Sequence, residues 1–163
     1  MRIIAFSDSH RNYHNVQKLF EHTHLTTDIY IFLGDGSDDL ENIRMFYPDK
    51  QILTVAGNCD YRSVDPLMAT VEVCGKKILY THGHMHAVNF GISWLKKLAA
   101  ENGADVILYG HTHQRRCDYE DGVYYINPGS IGNPRDGLSA SFAAIDVIPA
   151  GILCTHVSIN ELE

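Results

Sequence analysis

The chain has 163 residues, of which 45% are hydrophobic and 20% charged, proportions typical of a globular protein. At this length we expect a single domain, residues 1–163, that buries roughly 70% of its unfolded surface. The formal net charge of -7 argues against a protein that binds nucleic acid through a broad basic face. No segment approaches the ~20 apolar residues that span a membrane, and the four cysteines form no C-x-x-C pair. A cytoplasmic location with idle thiols is therefore expected.

Three helices are predicted between short β-branched runs in the first two thirds of the chain. The first begins after Asn12, a suitable N-cap. The second begins near Asp38 and ends before Pro48, and the third ends at Gly103 as its C-cap. Their apolar positions at helical spacing, which we expect to face inward, are Val16, Leu19 and Phe20, then Leu40, Ile43 and Phe46, then Ile92, Leu95, Leu98 and Ala99.

The last third of the chain has the pattern of antiparallel strands. Residues 116–126 contain Asp121-Gly122, a dipeptide that favours a tight hairpin turn. Residues 141–159 are interrupted by Pro149-Ala150-Gly151, which predicts a second hairpin. Since α/β units come first and antiparallel strands last, we expect a mixed α/β (α+β) fold. Two sheets packed face to face as a β-sandwich, flanked by helices, would satisfy both halves.

Five apolar runs each end in a polar cluster. The runs are Ile3–Phe6, Ile29–Leu33, Ile52–Ala56, Ile78–Tyr80 and Val106–Tyr109. The clusters that follow them are Asp8-Ser9-His10, Gly34-Asp35, Gly57-Asn58-Cys59-Asp60, His82-Gly83-His84 and Gly110-His111-Thr112-His113. A single cluster could serve only as a turn. Five in succession indicate a site at one edge of a sheet, because ligands in α/β sheets bind beyond the carboxyl ends of strands.

The side chains in these clusters are those that divalent metals bind through oxygen and nitrogen. The candidate metal ligands are Asp8, His10, Asp35, Asn58, His82, His111 and His113. Two pairs of them are separated by one residue, and side chains at i and i+2 point to the same side of an extended chain. Each pair can therefore face one cavity.

The order and spacing of these residues resemble the calcineurin-like metallophosphoesterases, whose pattern is D-x-H, G-D-x-x-D, G-N-H-D/E, H and G-H-x-H. The motifs cover residues 8–113 of this chain. The short chain, the His82-Gly83-His84 element and Asn127-Pro128-Gly129-Ser130 look like the small prokaryotic phosphodiesterase branch. The resemblance thus extends over nearly the whole length and implies the fold expected above.

The resemblance also implies two divalent metal ions about 3.5–4 Å apart. The first would be held by Asp8, His10 and His113, the second by Asn58, His82 and His111, and Asp35 would bridge the two. A hydroxide between the metals would attack phosphorus in line, so that Asp35 and Asn58 serve catalysis as well as metal binding. Manganese is the expected metal, with nickel, iron, cobalt and zinc as alternatives. Asp38 matches a second acidic position, at which capping or orienting a ligand is expected rather than metal binding.

Cys59 departs from the family pattern, because many members have at this position a histidine that helps to protonate the leaving group. The small phosphodiesterase branch also has cysteine here. Asp60, which would orient that histidine, is expected to lack its partner. The enzyme would then either use leaving groups that need little acid help or borrow His84 or His86. His84 is a catalytic candidate, because it follows a ligand and could contact phosphate or donate a hydrogen bond there.

These patterns predict a metal-dependent phosphodiesterase that acts on a small phosphate ester. A phosphomonoesterase with the same metals is the first alternative, and a nuclease is disfavoured by the acidic charge. A non-catalytic scaffold, as in a eukaryotic retromer subunit of the same fold, is the alternative of another class. Arg11 and Arg135 are candidate phosphate contacts by charge, whereas Asn127 and Ser130 have a weaker claim. No membrane partner is expected, and a late strand edge could pair two subunits as a homodimer.

Overall fold

The computed structural model describes residues 1–148 and 150–162. It contains ten strands and three α-helices in the described residues, with short 3₁₀ turns between some of them. In chain order they are β1 (Arg2–Phe6), α1 (Tyr13–Thr23), β2 (Ile29–Phe32), α2 (Leu40–Phe46), β3 (Gln51–Thr54), β4 (Met68–Val73), β5 (Lys76–Thr81), α3 (Ser93–Asn102), β6 (Val106–Tyr109), β7 (Arg115–Glu120), β8 (Val123–Pro128), β9 (Ser141–Ile148) and β10 (Gly151–Ser158).

The strands form two mixed sheets of five strands each. The first has the order β10-β9-β1-β2-β3, with β1, β2 and β3 parallel. The second has the order β4-β5-β6-β8-β7, with β5, β6 and β8 parallel. Parallel neighbours end at the same edge, so this arrangement brings the loops after β1, β2 and β3 together, and likewise those after β5 and β6.

The sheets pack face to face, and alternate residues of each strand point to opposite faces. In β1, Ile3 lies in the core between the sheets, whereas Ile4 and Phe6 lie in an outer cluster with α1 and α2. Helix α3 covers the outer face of the second sheet through Leu95 and Ala99. Because central strands are covered on both faces, their sequences are continuous apolar runs. The expected two-sheet sandwich flanked by helices is confirmed.

The helices agree with the sequence patterns except in α2. The Asn12 side chain accepts a hydrogen bond from the Asn15 backbone nitrogen at 3.2 Å, as its capping role requires. The prediction that Phe46 faces inward is wrong, since this side chain is 73% exposed. A 3₁₀ turn at Ser37–Asp39 precedes α2, and the buried stripe then continues to Tyr47, which packs against the outer cluster. Phe46 lies about 100° away from that stripe on a 3.6-residue helix.

Both hairpins form, and one edge strand escaped sequence analysis. Strands β7 and β8 are joined through Asp121 and Gly122, both at positive φ, as a type I′ turn requires. Strands β9 and β10 pair over eight residues each, while Pro149 lies outside the described residues.

Strand β4 was not predicted because it is an edge strand with mostly partial exposure and no apolar run. Among residues 1–148 and 150–162, no helix is long and apolar enough to cross a membrane.

Candidate metal centre

Backbone hydrogen bonds fasten the loops that follow the strands to one another. The Asp8 nitrogen donates to the Gly34 carbonyl at 2.9 Å, which joins the loops after β1 and β2. The Gly110 nitrogen donates to the His82 carbonyl at 3.0 Å, which joins the loops after β6 and β5. Across the two sheets, the His111 nitrogen donates to Oδ2 of Asp8 at 3.1 Å. The predicted ligands are therefore mounted on loops with little freedom to separate.

One set of side chains consists of Asp8, His10 and His113. Oδ1 of Asp8 is 3.2 Å from Nε2 of His113 and 3.8 Å from Nε2 of His10. The two imidazole Nε2 atoms are 3.2 Å apart. A ligand atom of each of the three residues thus lies within 4.8 Å of the others, which is close enough for a common cation.

A second set consists of Asn58, His82 and His111. Nε2 of His82 is 3.2 Å from Oδ1 of Asn58 and 3.3 Å from Nδ1 of His111. His82 is fully buried, whereas Asn58 is exposed and His111 is half-buried. One nitrogen of each imidazole and one oxygen of the amide therefore face a common point.

Asp35 lies between the two sets. Its Oδ2 is 3.8 Å from Nε2 of His10 and 3.6 Å from Nε2 of His82. Its Oδ1 accepts a hydrogen bond from the Cys59 nitrogen at 2.7 Å, which fixes the carboxylate plane. Gly57 allows this approach, because a Cβ there would lie 2.5 Å from the Asp35 backbone nitrogen.

Partners outside the two sets orient the imidazole rings. Nδ1 of His82 faces the Leu33 carbonyl at 2.7 Å, and Nδ1 of His113 faces the Asn133 carbonyl. Because a carbonyl oxygen can only accept a hydrogen bond, it favours the tautomer with the hydrogen on Nδ1, which leaves Nε2 of the neutral ring free to bind a metal. His111 turns Nδ1 inward, and its Nε2 is 3.0 Å from the Asn89 amide. Sequence reasoning missed Asn89, since nothing in the local pattern marks it.

Backbone strain is concentrated in these loops. Positive φ values are uncommon for residues other than glycine and often mark functional sites. Five of the seven predicted ligands have them, namely Asp8, His10, Asp35, His111 and His113, with φ between 46° and 66°. The surrounding hydrogen bonds hold this conformation against its local cost.

The electrostatics of the site suit a bound cation. Asp8 is fully buried, and its Oδ1 faces Nε2 of His113 at 3.2 Å. Oxygens of Asp8 and Asp35 lie within 4.8 Å of each other, so two buried carboxylates share one small space. Burial alone would raise the pKa of Asp8, but His113 and His82 outweigh it and lower the pKa. Oxygen and imidazole donors around buried anionic charge are the donor set that divalent metals accept.

The histidines of the site respond to the same surroundings. Burial lowers the pKa of His111, and the neighbouring His82 adds to this effect. For His113 the effect of burial is outweighed by Asp8, whose hydrogen bond and charge raise the pKa. His111 is therefore mostly neutral at pH 7, as a metal ligand must be.

Asp60 does not lack a partner, which corrects the expectation from sequence. Its carboxylate accepts hydrogen bonds from four backbone nitrogens at 2.7–2.9 Å, those of Asp35, Gly36, Ser37 and Gly57. Burial would raise the pKa of Asp60, but these donors outweigh it and lower the pKa. Asp60 thus joins the loops after β2 and β3, whichever residue stands at position 59.

The Asn127–Ser130 segment lies beneath the site. Asn127 is fully buried and donates to the Gly110 carbonyl at 2.9 Å and to Oγ1 of Thr112 at 3.1 Å. Ser130 is also buried and donates to the Asp8 carbonyl at 2.8 Å. Both residues position the ligand loops, so the expected substrate contact gives way to a supporting role.

The remaining candidates border the second set. His84 is half-buried, and its ring centroid is 5.3 Å from that of His82. Nδ1 of His84 and Nδ1 of His86 are buried and have no hydrogen-bond partner among residues 1–148 and 150–162. Burial lowers the pKa of both rings, which favours neutral imidazole. Burial and the neighbouring Asp35 raise the pKa of Cys59 to about 11, so its thiol stays protonated at neutral pH.

Several known proteins of similar sequence carry phosphoesterase names, and one of Schizosaccharomyces pombe, 30% identical over 129 residues, is named vacuolar protein sorting-associated protein 29. A probable metallophosphoesterase, YsnB of Bacillus subtilis strain 168, is 32% identical over 147 residues, which cover 89% of this chain and 83% of YsnB. The phosphodiesterase YfcE of Escherichia coli K12 is 30% identical over 105 residues, 59% of this chain and 53% of YfcE. The second match thus spans about half of that protein.

Solved structures share the fold. A protein of Streptococcus pneumoniae TIGR4 described as a predicted phosphoesterase superposes with a TM-score of 0.85 at 28% identity, covering 98% of this chain and 90% of the other. The zinc complex of Vps29 from Entamoeba histolytica has a TM-score of 0.74 at 18% identity, covering 98% and 100%. At that identity the second likeness concerns the fold alone.

A domain description covers most of the chain. The model of the calcineurin-like phosphoesterase superfamily domain matches residues 1–148. This range contains every strand end that carries a candidate ligand. The chain belongs to the calcineurin-like phosphoesterase superfamily.

Proposed function

We propose that this protein is a two-metal phosphodiesterase that hydrolyses a small phosphate ester. The observation that carries the proposal is the convergence of six oxygen and nitrogen donor residues in two sets of three on either side of Asp35. Asp8, His10 and His113 would hold one divalent ion, Asn58, His82 and His111 the other, and Asp35 both. Manganese is the metal that we would supply first. Mixed oxygen and nitrogen ligands accept several divalent ions, so nickel, iron, cobalt and zinc stay as alternatives.

Two bound divalent ions would supply charge stabilisation of the phosphoryl oxygens and a water of lowered pKa. The protein's own contribution is to hold the donors in place. The Leu33 and Asn133 carbonyls fix the ring tautomers, and Asp60 keeps the Asp35 loop against the Asn58 loop. His84, beside His82, could donate a hydrogen bond to a substrate oxygen from the outer side.

The Cys59 thiol favours a diester over a monoester as substrate. A thiol is a poorer general acid than an imidazolium at neutral pH, because its pKa of about 8.5 lies well above that of histidine. For the same leaving alcohol, a monoester needs such a proton more than a diester, because its looser transition state places more negative charge on the leaving oxygen. The same argument makes a phosphomonoesterase the weaker alternative.

The test is hydrolysis of bis-p-nitrophenyl phosphate and p-nitrophenyl phosphate after chelation and again with added Mn²⁺. We expect cleavage to be lost on chelation, restored by metal, and greater for the diester. A preference for the monoester would move the assignment to phosphomonoesterase. Absence of cleavage of both esters by protein with bound metal would contradict the proposal.

The absence of a general-acid histidine at position 59 leads to a separate prediction. Cys59→His should increase turnover of a diester with a poor leaving group, by about 10–100-fold if the imidazole acts as a general acid. Bis-p-nitrophenyl phosphate should gain much less, because p-nitrophenolate leaves without a proton. Equal gains for both esters would count against this explanation.

His84→Ala tests the alternative that this residue supplies the proton. If His84 is the acid, turnover of the poor-leaving-group ester should fall by about 10²-fold, with a smaller loss for bis-p-nitrophenyl phosphate. Unchanged turnover of both esters would remove His84 as a candidate. His22→Ala is the control, since His22 is exposed on α1 and away from the site.

A scaffold function would use the same fold without turnover. Metal binding does not separate the two possibilities, since Vps29, named for vacuolar protein sorting, has a zinc complex. All seven donor positions are filled in this chain, which supports metal binding but does not by itself distinguish an enzyme from a scaffold. Metal-dependent cleavage is the observation that distinguishes an enzyme from a scaffold. Pairing of two subunits through a strand edge stays a prediction.

A further inference from the structure

A cleft of about 530 Å³ opens beside the proposed metal centre. His10 and Asp35 line its inner end. Arg11, Tyr61 and Arg62 line its outer part, and all three are exposed. A substrate whose phosphate lies at the inner end would therefore extend one of its ester groups past the arginines.

The two arginines that line this cleft, Arg11 and Arg62, have no carboxylate partner in the described part of the chain. Arg11 and Arg62 form no ion pair within residues 1–148 and 150–162, and neither does Arg135. The Arg135 backbone nitrogen donates to the His113 carbonyl at 3.0 Å, which places this residue beside the first set. By contrast, Arg2 and Arg115 each pair with an aspartate. Arg44 likewise forms no ion pair in the described residues, so what distinguishes Arg11 and Arg62 is their position on the cleft wall beside the proposed metal centre.

The acidic side chains of the cleft leave the guanidinium groups free. Oδ2 of Asp39 accepts the Ser9 hydroxyl at 2.6 Å and the Arg11 backbone nitrogen at 3.1 Å. Both oxygens of Asp60 accept backbone nitrogens. Asp38 is exposed on the wall and forms no ion pair with either arginine in the described residues. The outer cleft therefore presents the guanidinium groups of Arg11 and Arg62 to a ligand.

We propose that the outer cleft is an anion-binding subsite and that the natural substrate is a phosphodiester with a second negative charge on one ester group. A guanidinium group binds carboxylate or phosphate through two parallel hydrogen bonds. Arg11 and Arg62 would make these bonds, and Arg135 would add attraction from the His113 side. The inference rests on the proposed phosphodiesterase function and names the class of its substrate.

The test uses four p-nitrophenyl phosphodiesters with the same chromophore. Their second alcohols are propanol, choline, 3-hydroxypropanoate and 3-phosphopropanol, which are neutral, cationic, carboxylate-bearing and phosphate-bearing. We expect kcat/KM to be at least about tenfold higher for the anionic pair than for the propyl ester, and lowest for choline. This preference should shrink at high ionic strength. The carboxylate and phosphate esters distinguish the two sources of charge.

Arg11→Gln, Arg62→Gln and the double variant test the residues themselves. Each single change should lower kcat/KM for the preferred anionic ester by about tenfold and reduce its preference over the propyl ester by a similar factor. Arg44→Gln is the matched control, because Arg44 is an exposed arginine on α2 outside the cleft. It should leave the order of the four esters unchanged.

Equilibrium binding provides a readout that needs no turnover. Titration calorimetry with the four corresponding p-nitrobenzylphosphonate monoesters should show the same order of affinity and the same loss in the variants. Equal binding of the neutral and anionic analogues would overturn the subsite, as would equal losses for all four in Arg62→Gln. If no ester is cleaved, the proposed function fails, while the binding order still decides the subsite.

Discussion

Asp35→Asn is expected to lower kcat/KM for bis-p-nitrophenyl phosphate by about 10³-fold, because a shared ligand contributes several kcal/mol of charge stabilisation. Oδ2 of Asp35 lies 3.8 Å from Nε2 of His10 and 3.6 Å from Nε2 of His82, one residue from each proposed set. The amide keeps the shape and can still accept the Cys59 nitrogen through Oδ1. Loss of activity would therefore reflect loss of charge.

The same variant should change stability in a way that a folding defect would not. Without metal, neutralising Asp35 removes repulsion from Asp8, whose oxygen lies within 4.8 Å, so the melting temperature should stay the same or rise. With Mn²⁺, the wild type should gain stability and Asp35→Asn should gain much less. The control is Asp49→Asn, an exposed position between α2 and β3. Activity within about threefold of the wild type, less than 1 kcal/mol, would contradict the shared-ligand role.

Asp60→Asn is expected to destabilise the protein by about 2–3 kcal/mol, because an amide oxygen replaces only one of two charged acceptors. Its NH₂ group would face two of the four backbone nitrogens that now donate to the carboxylate. The loops that hold Asp35 and Asn58 would then move apart. Denaturant unfolding of the variant and of Asp49→Asn measures the stability loss. A change below about 0.5 kcal/mol, the size usual for surface sites, would contradict the account.

The stability difference between the wild type and Asp60→Asn should decrease as the pH falls. The pKa of Asp60 is lowered in the folded state by the backbone donors. A carboxylate of lowered pKa stabilises the fold fully above its unfolded pKa, near 3.9, and progressively less as pH falls through its folded pKa. The advantage of the wild type over Asp60→Asn should therefore be full at about pH 6 and shrink below about pH 4. A difference that grew towards acid pH would be inconsistent with this role.

The fold could be predicted because its central strands are simple in sequence. Buried parallel strands are continuous apolar runs, and each polar cluster marks where a strand ends. Strand β4 carries no such signal because it is half-exposed at an edge. The prediction for Phe46 was wrong because its three-residue spacing from Ile43 fits a buried helical stripe. In the short helix α2 that buried stripe continues to Tyr47 instead.

The candidate ligands could be predicted, whereas their supports could not. Asp8 and His113 lie in short motifs, but the partners that orient them are distant in sequence. Ser130 reaches the Asp8 carbonyl across 122 residues, and Asn89 reaches His111 across 22. Asp60 was considered only as the partner of a histidine at position 59. Its four actual donors are backbone nitrogens, which every residue except proline has, so they leave no pattern in the sequence. Such contacts depend on tertiary structure alone.

The central claim is that two metal ions bind on either side of Asp35. Anomalous diffraction from crystals of the Mn²⁺-loaded protein tests it most directly. We expect two anomalous-difference peaks about 3.5–4 Å apart, as in other two-metal hydrolases. One peak should contact Asp8, His10 and His113, the other Asn58, His82 and His111, and Asp35 should contact both. A single peak, or a pair that Asp35 does not bridge, would contradict it.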